Sequence, residues 1–182
     1  MKQFFIIMAF LLVSSTGFAQ ETEALAPTQL GQWTRPAATS IDAVDAYIAH
    51  SAAMYQEAMD IRAQFDAIGQ FEIDLVDAAN EVLIEGEDPT ATKREAYQAV
   101  IERILAQQEA AVQLPELLAA ATASLRRAGL RAPAGTRAIA STREVLTLIV
   151  SENTSLLAAA QARLAELATA GADAPVEVED VE

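Results

Sequence analysis

Residues 41–84 read IDAVDAYIAHSAAMYQEAMDIRAQFDAIGQFEIDLVDAANEVLI, and this stretch decides the fold. Apolar residues recur three and four apart at Val44, Ile48, Ala52, Tyr55 and Met59, and again at Phe65, Ile68, Leu75, Ala79 and Val82. That spacing lays one stripe along an α-helix, because 3.6 residues make a turn. Thr39 and Ser40 stand ahead of it as capping residues, and Asp42 and Asp45 suit the positive start of a helix. Gly69 is the one interior breaker and costs only about 1 kcal/mol against alanine. The reading is therefore one helix of about 65 Å, or two helices meeting at Gly69.

Downstream the same period returns. Asp88-Pro89 reads as a cap followed by proline at the first helical position, with Thr92-Lys93-Arg94-Glu95 as a second candidate capping box. Tyr97, Val100, Ile101, Ile104, Leu105, Ala111 and Val112 then mark a helix running to about Leu114. Pro115 either kinks that helix or opens another, whose end is marked by Arg126, Arg127 and a capping Gly129. Residues 130–140, with Pro133 and Gly135, read as a connector. Ser141-Thr142-Arg143-Glu144 reads as the capping box of a last helix to about Ala170, with Val145, Leu148, Ile149, Leu156, Leu157, Ala160, Leu164 and Leu167 inward. Stripes joined by short connectors bury themselves against each other, so the expected fold is all-α: an antiparallel bundle of three to four helices over residues 40–171. The first helix is too long for any one partner, so two shorter ones are expected to share it. Sustained three-and-four spacing is also what coiled coils use, which leaves self-association open.

The ends carry different signals. Lys2, the ten-residue apolar run Phe4–Val13 and the small residues Gly17 and Ala19 read as a secretory signal peptide over residues 1–19. A run of ten is too short to span a bilayer, which takes about 20, and no later segment reads as long and apolar enough. The expected compartment is the periplasm of a bacterial cell, with the extracellular space as the alternative. Residues 20–39 hold two prolines and Trp33, and read as a flexible arm; Trp33 is either an anchor onto the bundle or a candidate partner contact. Residues 172–182 (ADAPVEVEDVE) carry five acids and no base and read as a disordered acidic tail.

Composition narrows the function. Without the leader and its Lys2 the chain has 11 basic and 26 acidic residues, a net −15 against −14 for the full sequence. That charge opposes binding to nucleic acid. No cysteine is present, which excludes disulfides, tetrahedral cysteine–histidine zinc and covalent haem attachment. His50 is the only histidine and has no glutamate three residues before it, so the Glu-x-x-His pairs of a di-iron bundle are absent. Ser51 adjoins His50, but helix neighbours point about 100° apart and do not face each other. No cofactor is implied. Glu72, Asp74, Asp77, Glu81 and Glu85 make a solvated acidic face, or a weak divalent-cation surface.

The most informative pattern is charge segregation. Leu117 to Arg143 holds no acid but carries Arg126, Arg127, Arg131, Arg137 and Arg143. Arginine suits two-pronged recognition of carboxylate or phosphate. These five either pair internally with the acidic first helix or form a docking surface for an anionic partner: an acidic protein segment, a lipid headgroup or a cell-wall polymer. The functional expectation is an exported, non-catalytic interaction or scaffold protein of the bacterial cell envelope, with a protein partner or self-association. The alternatives are a periplasmic chaperone or binding module for apolar clients or small ligands, and an enzyme with no recognisable motif.

Overall fold

The computed structural model describes residues 30–78 and 89–170. The expected signal peptide (residues 1–19), residues 20–29 of the expected arm, residues 79–88 and the expected acidic tail lie outside the described residues. Four α-helices carry the fold: α1 (Asp42–Ala78), α2 (Pro89–Ala111), α3 (Leu114–Leu125) and α4 (Ala132–Ala170). Short 3-10 turns stand at Leu30–Gln32 and Gly129–Arg131. No strand occurs among the described residues. α1 and α4 run side by side in the same direction, and α2 and α3 return between them end to end. The chain is thus an all-α bundle of three columns, one of them broken once.

The long first helix is continuous through Gly69 as far as Ala78. Its buried stripe is Val44, Tyr47, Ser51, Met54, Ala58, Ile61, Phe65 and Ile68. The steps alternate three and four without error, which is the seam of a left-handed coiled coil. α2 shows the same alternation in Tyr97, Val100, Ile104 and Gln107. On α4 the buried stripe runs Ala138, Thr142, Val145, Ile149, Asn153, Leu156 and Ala160, and slips once by taking two steps of four in succession at Ile149. Two halves share the length of α1. Ile61, Phe65 and Ile68 meet Tyr97, Val100 and Ile104 of α2 and Leu156 and Ala160 of α4. Ile41, Val44, Tyr47 and Ile48 meet Ala121 of α3 and Ala138 and Ile139 of α4.

Two local readings are corrected. Residues 132–140 are not a connector: α4 begins at Ala132, and Pro133 stands in its first turn, where a missing N–H costs no helical bond. Thr142 is therefore a buried mid-helix residue, donating to the Ala138 carbonyl at 2.8 Å, and not a cap. Thr92 likewise lies inside α2, which starts at Pro89. At Pro115 the column does break. A turn at Val112–Gln113 separates the helices, and α3 starts at Leu114 with Pro115 in its first turn. Leu105 (47% exposed) and Val112 (70%) point away from the core that the sequence pattern assigned them.

Helix α4 is apolar enough by composition to pass for a membrane span, with an 18-residue window of mean hydropathy 1.2 that is 28% buried. The reading that no segment after residue 19 is long and apolar enough to span is thus corrected by length and composition, and the inward stripe of this helix packs on α1 and α2.

The start of α1 is closed by a reciprocal cap. Thr39 donates to Asp45 Oδ1 from its backbone (2.7 Å) and its hydroxyl (2.9 Å), and Ser40 N–H donates to Oδ2 at 3.1 Å. Thr39 Oγ1 in turn accepts from Ile41 N–H at 3.3 Å. Ser40 sits at φ 58°, the left-handed region that a non-glycine adopts only when neighbours hold it there. Burial pushes the Asp45 carboxyl up, but the hydrogen bonds from Thr39, Ser40 and Ile41 outweigh it and hold the group below its ordinary 3.8. A depressed carboxylate stabilises the fold above its unfolded value and loses that contribution as pH falls through the folded one. Asp45→Asn is therefore expected to cost about 1 kcal/mol at pH 7. In urea unfolding the gap between the two chains should close as pH drops below the folded-state value. A gap that is constant down to pH 2 would refute the cap.

Candidate functional site

Three of the five arginines lie at one end of the bundle, where α3 finishes and α4 begins, and Arg137 and Arg143 lie about 8 and 17 Å further along α4. α3 ends at Leu125, and Arg126 is its last, still helical, residue. Arg127 N–H closes a turn onto the Ser124 carbonyl at 3.1 Å, and Ala128 N–H onto Leu125 at 3.1 Å. Gly129 then takes φ +55°, a conformation that favours glycine, and Arg131 N–H returns to Ala128 at 3.1 Å. Gly129 thus lies beyond the helix end and turns the corner; it does not cap α3 directly. Three of the six residues between the two helices are arginine. Arg137 and Arg143 follow within the first three turns of α4.

All five side chains are exposed. Arg131 Nη1 donates to the Ser40 carbonyl at 2.7 Å, fixing that guanidinium over the start of α1. The charge of Arg143 reaches buried Tyr47: burial pushes the Tyr47 phenol up, and the arginine pulls against it. Among the described residues, no salt bridge ties any of the five to a carboxylate. The acids of that third of the bundle are few: Asp42, Glu144, and Asp45, which is spent on Thr39 and Ser40. Internal pairing with the first helix is instead done by other residues. Arg62 joins Asp66 at 2.9 Å and Glu152 at 2.7 Å, and Arg103 joins Glu57 at 2.9 Å.

Trp33 lies elsewhere. It is half-buried on the middle of the bundle, its ring 5.0 Å from Tyr55 at 55°. Leu30 beside it is fully buried, and its carbonyl accepts from the Tyr55 hydroxyl. Leu30 and Trp33 thus pin the last ten residues of the arm to α1 and α4. The Trp33 Nε1 is buried without a protein partner.

Other groups weighed for chemistry turn to structural work. His50 Nε2 donates to the Ala110 carbonyl at the end of α2 (3.2 Å), and Ser51 Oγ to the Tyr47 carbonyl (2.9 Å). Among the described residues, no three of histidine, aspartate and glutamate converge to hold a metal ion. The Glu72–Glu85 acidic face falls where side chains are not described.

Sequence reading missed a buried polar layer. Gln107 Nε2 donates to the Met54 carbonyl, and Asn153 Nδ2 donates to Gln107 Oε1 at 2.6 Å, tying all three columns together. The signal was present: Gln107 and Asn153 occupy stripe positions between apolar residues on α2 and α4. Asn153 Oδ1 is buried without a protein partner.

No family model matches the chain, and neither the curated proteins nor the solved structures hold a match to it.

Proposed function

We propose that this is an exported, non-catalytic interaction protein of the bacterial cell envelope, which presents the arginine-bearing end of its bundle to an anionic partner. One observation carries the reading: five exposed arginines lie on the α3–α4 turn and the first part of α4 in a chain of net charge −14, and none is neutralised by a carboxylate among the described residues. Surface guanidinium groups without a carboxylate partner keep donors for two-pronged bonds to carboxylate or phosphate, and Arg131 spends only Nη1 on the Ser40 carbonyl. The rigid columns beneath them hold the spacing, and the leader-like residues 1–19 support the compartment.

The test is crosslinking in the intact envelope, followed by mass spectrometry. An Arg131→Glu/Arg137→Glu chain is expected to lose at least tenfold of the partner signal that the unaltered chain gives. Equal recovery by both chains would sink the reading. A second reading, a binding module for apolar clients, draws on Leu130 (102% exposed), Val112 (70%) and Val150 (64%). It predicts that the chain suppresses aggregation of an unfolded client at stoichiometric ratio.

A further inference from the structure

Acids and bases are segregated along the chain. Residues 117–143 carry five arginines and no acid, whereas residues 71–88 carry seven acids and residues 171–182 carry five, with no base in either stretch. We propose that the arginine end receives residues 172–182 of a second copy, so that the chain associates head to tail. This rests on the reading of the arginine end as a docking surface and names its partner.

Three arguments select that occupant. The first is complementarity. Asp173, Glu177, Glu179, Asp180 and Glu182 match five arginines in number, and Val176, Val178 and Val181 alternate with the acids. A segment laid across the corner sets carboxylates on guanidinium groups and valines on Leu130, which is 102% exposed between Arg127 and Arg131.

The second argument is reach. Residues 171–182 of the same chain leave α4 at Ala170. Fully extended, they span at most about 43 Å. At 1.5 Å per residue, Arg143 lies about 40 Å back along α4, Arg137 about 50 Å and Arg131 about 58 Å. At full extension the segment therefore reaches the level of Arg143 in its own molecule but not that of Arg137 or Arg131. A second copy has no such limit.

The third argument concerns net charge. A chain at −14 repels its copies as a whole. But the Debye length is about 8 Å at physiological ionic strength, far shorter than the bundle. Contact at one corner is therefore not cancelled by acids more than a Debye length away.

A contact between two different surfaces does not close on itself as a twofold dimer does. It adds copies until it meets its own start or continues as a filament. The expected result in sedimentation velocity is a mass that rises past the dimer with concentration at 50 mM salt and falls back toward the monomer at 500 mM. Two charge variants of the full chain make the test specific, with circular dichroism confirming the helix content of each. Arg127→Glu/Arg137→Glu/Arg143→Glu reverses the charge of the arginine end, and Glu177→Lys/Glu179→Lys/Asp180→Lys takes residues 172–182 from five acids to two acids and three lysines. Each alone is expected to associate at least tenfold more weakly than the unaltered chain. Mixed in equal amounts they should associate again, because every junction then pairs opposite ends. A chain that stays monomeric, stops at a dimer, or yields variants that do not recombine overturns the proposal. If the arginine variant then still loses a partner crosslinked in the envelope, the docking reading survives and only its assignment to a second copy fails.

Discussion

Replacing Arg62 with methionine is expected to cost about 3–5 kcal/mol. For a domain of this length that lowers the melting temperature by roughly 10 °C. The guanidinium lies on the inner face of α1 with its side chain 11% exposed. Its Nη1 meets Glu152 of α4 at 2.7 Å, and Glu152 is itself only 13% exposed. The Nε faces Asp66 at 2.9 Å, one turn on, where the carboxylate is 55% exposed. These two carboxylates differ in consequence. Asp66 regains water when the arginine is lost, and exposed pairs of this kind are worth only about 0–1 kcal/mol. Glu152 does not regain it and is left as a charge facing the core. Almost all of the cost therefore belongs to Glu152, and removing that charge as well should recover it. Arg62→Met with Glu152→Leu is expected within about 1.5 kcal/mol of the unaltered chain, or above it, since apolar pairs often replace buried ions without loss. Urea unfolding of the two single variants and the double one gives the coupling directly. Additive single costs would mean that the two groups do not depend on each other.

The same distinction between what a stripe implies and what contacts decide explains how far the sequence could be read. Three-and-four spacing identified the first, second and last helices, because burial of one face is a local property of the pattern, while the separate α3 was one of two readings left open at Pro115. Which residues of that face go deepest was harder to see. Tyr55 and Met59 looked inward on size, yet Ser51, Met54 and Ala58 hold the seam and Tyr55 and Met59 flank it. A coiled-coil seam fixes position by register, and a small residue in register is buried ahead of a large one beside it. Gln107, Asn153 and Arg62 were passed over for the same reason: polar residues break an apolar count even where tertiary partners satisfy them. Proline and glycine misled most. Pro133 and Gly135 read as a connector, but the first sits where a helix tolerates it and the second is closely packed against Leu125 and Ile41. As for the candidate site, the five arginines were legible as a run without acids. Whether acids lie across from them depends on how the columns pack, and the fold leaves the arginines facing outward.

Gly135→Leu is expected to release α3 from the bundle at a cost of about 3 kcal/mol or more. A Cβ at this position would stand 2.5 Å from Leu125 Cδ2, 3.1 Å from Ile41 Cδ1 and 3.7 Å from Val44 Cγ2. Three helices meet there: the end of α3, the start of α1 and the start of α4. The single methyl of alanine displaces only the tip of the Leu125 side chain. Alanine also regains about 1 kcal/mol of helix propensity, so Gly135→Ala is expected to be close to neutral. Leucine adds three more carbons where Ile41 and Val44 already stand, and neither the α1 cap nor the α4 backbone has room to retreat. The weakest of the three elements yields. α3 is 12 residues long, too short to persist in water without its packing. Its hold on the bundle is Ala121 with the half-buried Leu114, Leu117, Leu118 and Leu125, all in the same cluster as Ile41 and Val44. Hydrogen exchange should therefore show α3 losing protection. α2 and the later turns of α1 and α4, which pack in a separate cluster around Phe65 and Tyr97, should keep theirs. Arg126 and Arg127 sit on the end of α3 and would lose their fixed distance to Arg137 and Arg143. A chain with all five arginines intact is then expected to bind its anionic partner like one from which they have been removed. Unchanged α3 protection in Gly135→Leu would show that the corner is looser than its contacts imply, and that the arginines are not held in place by it.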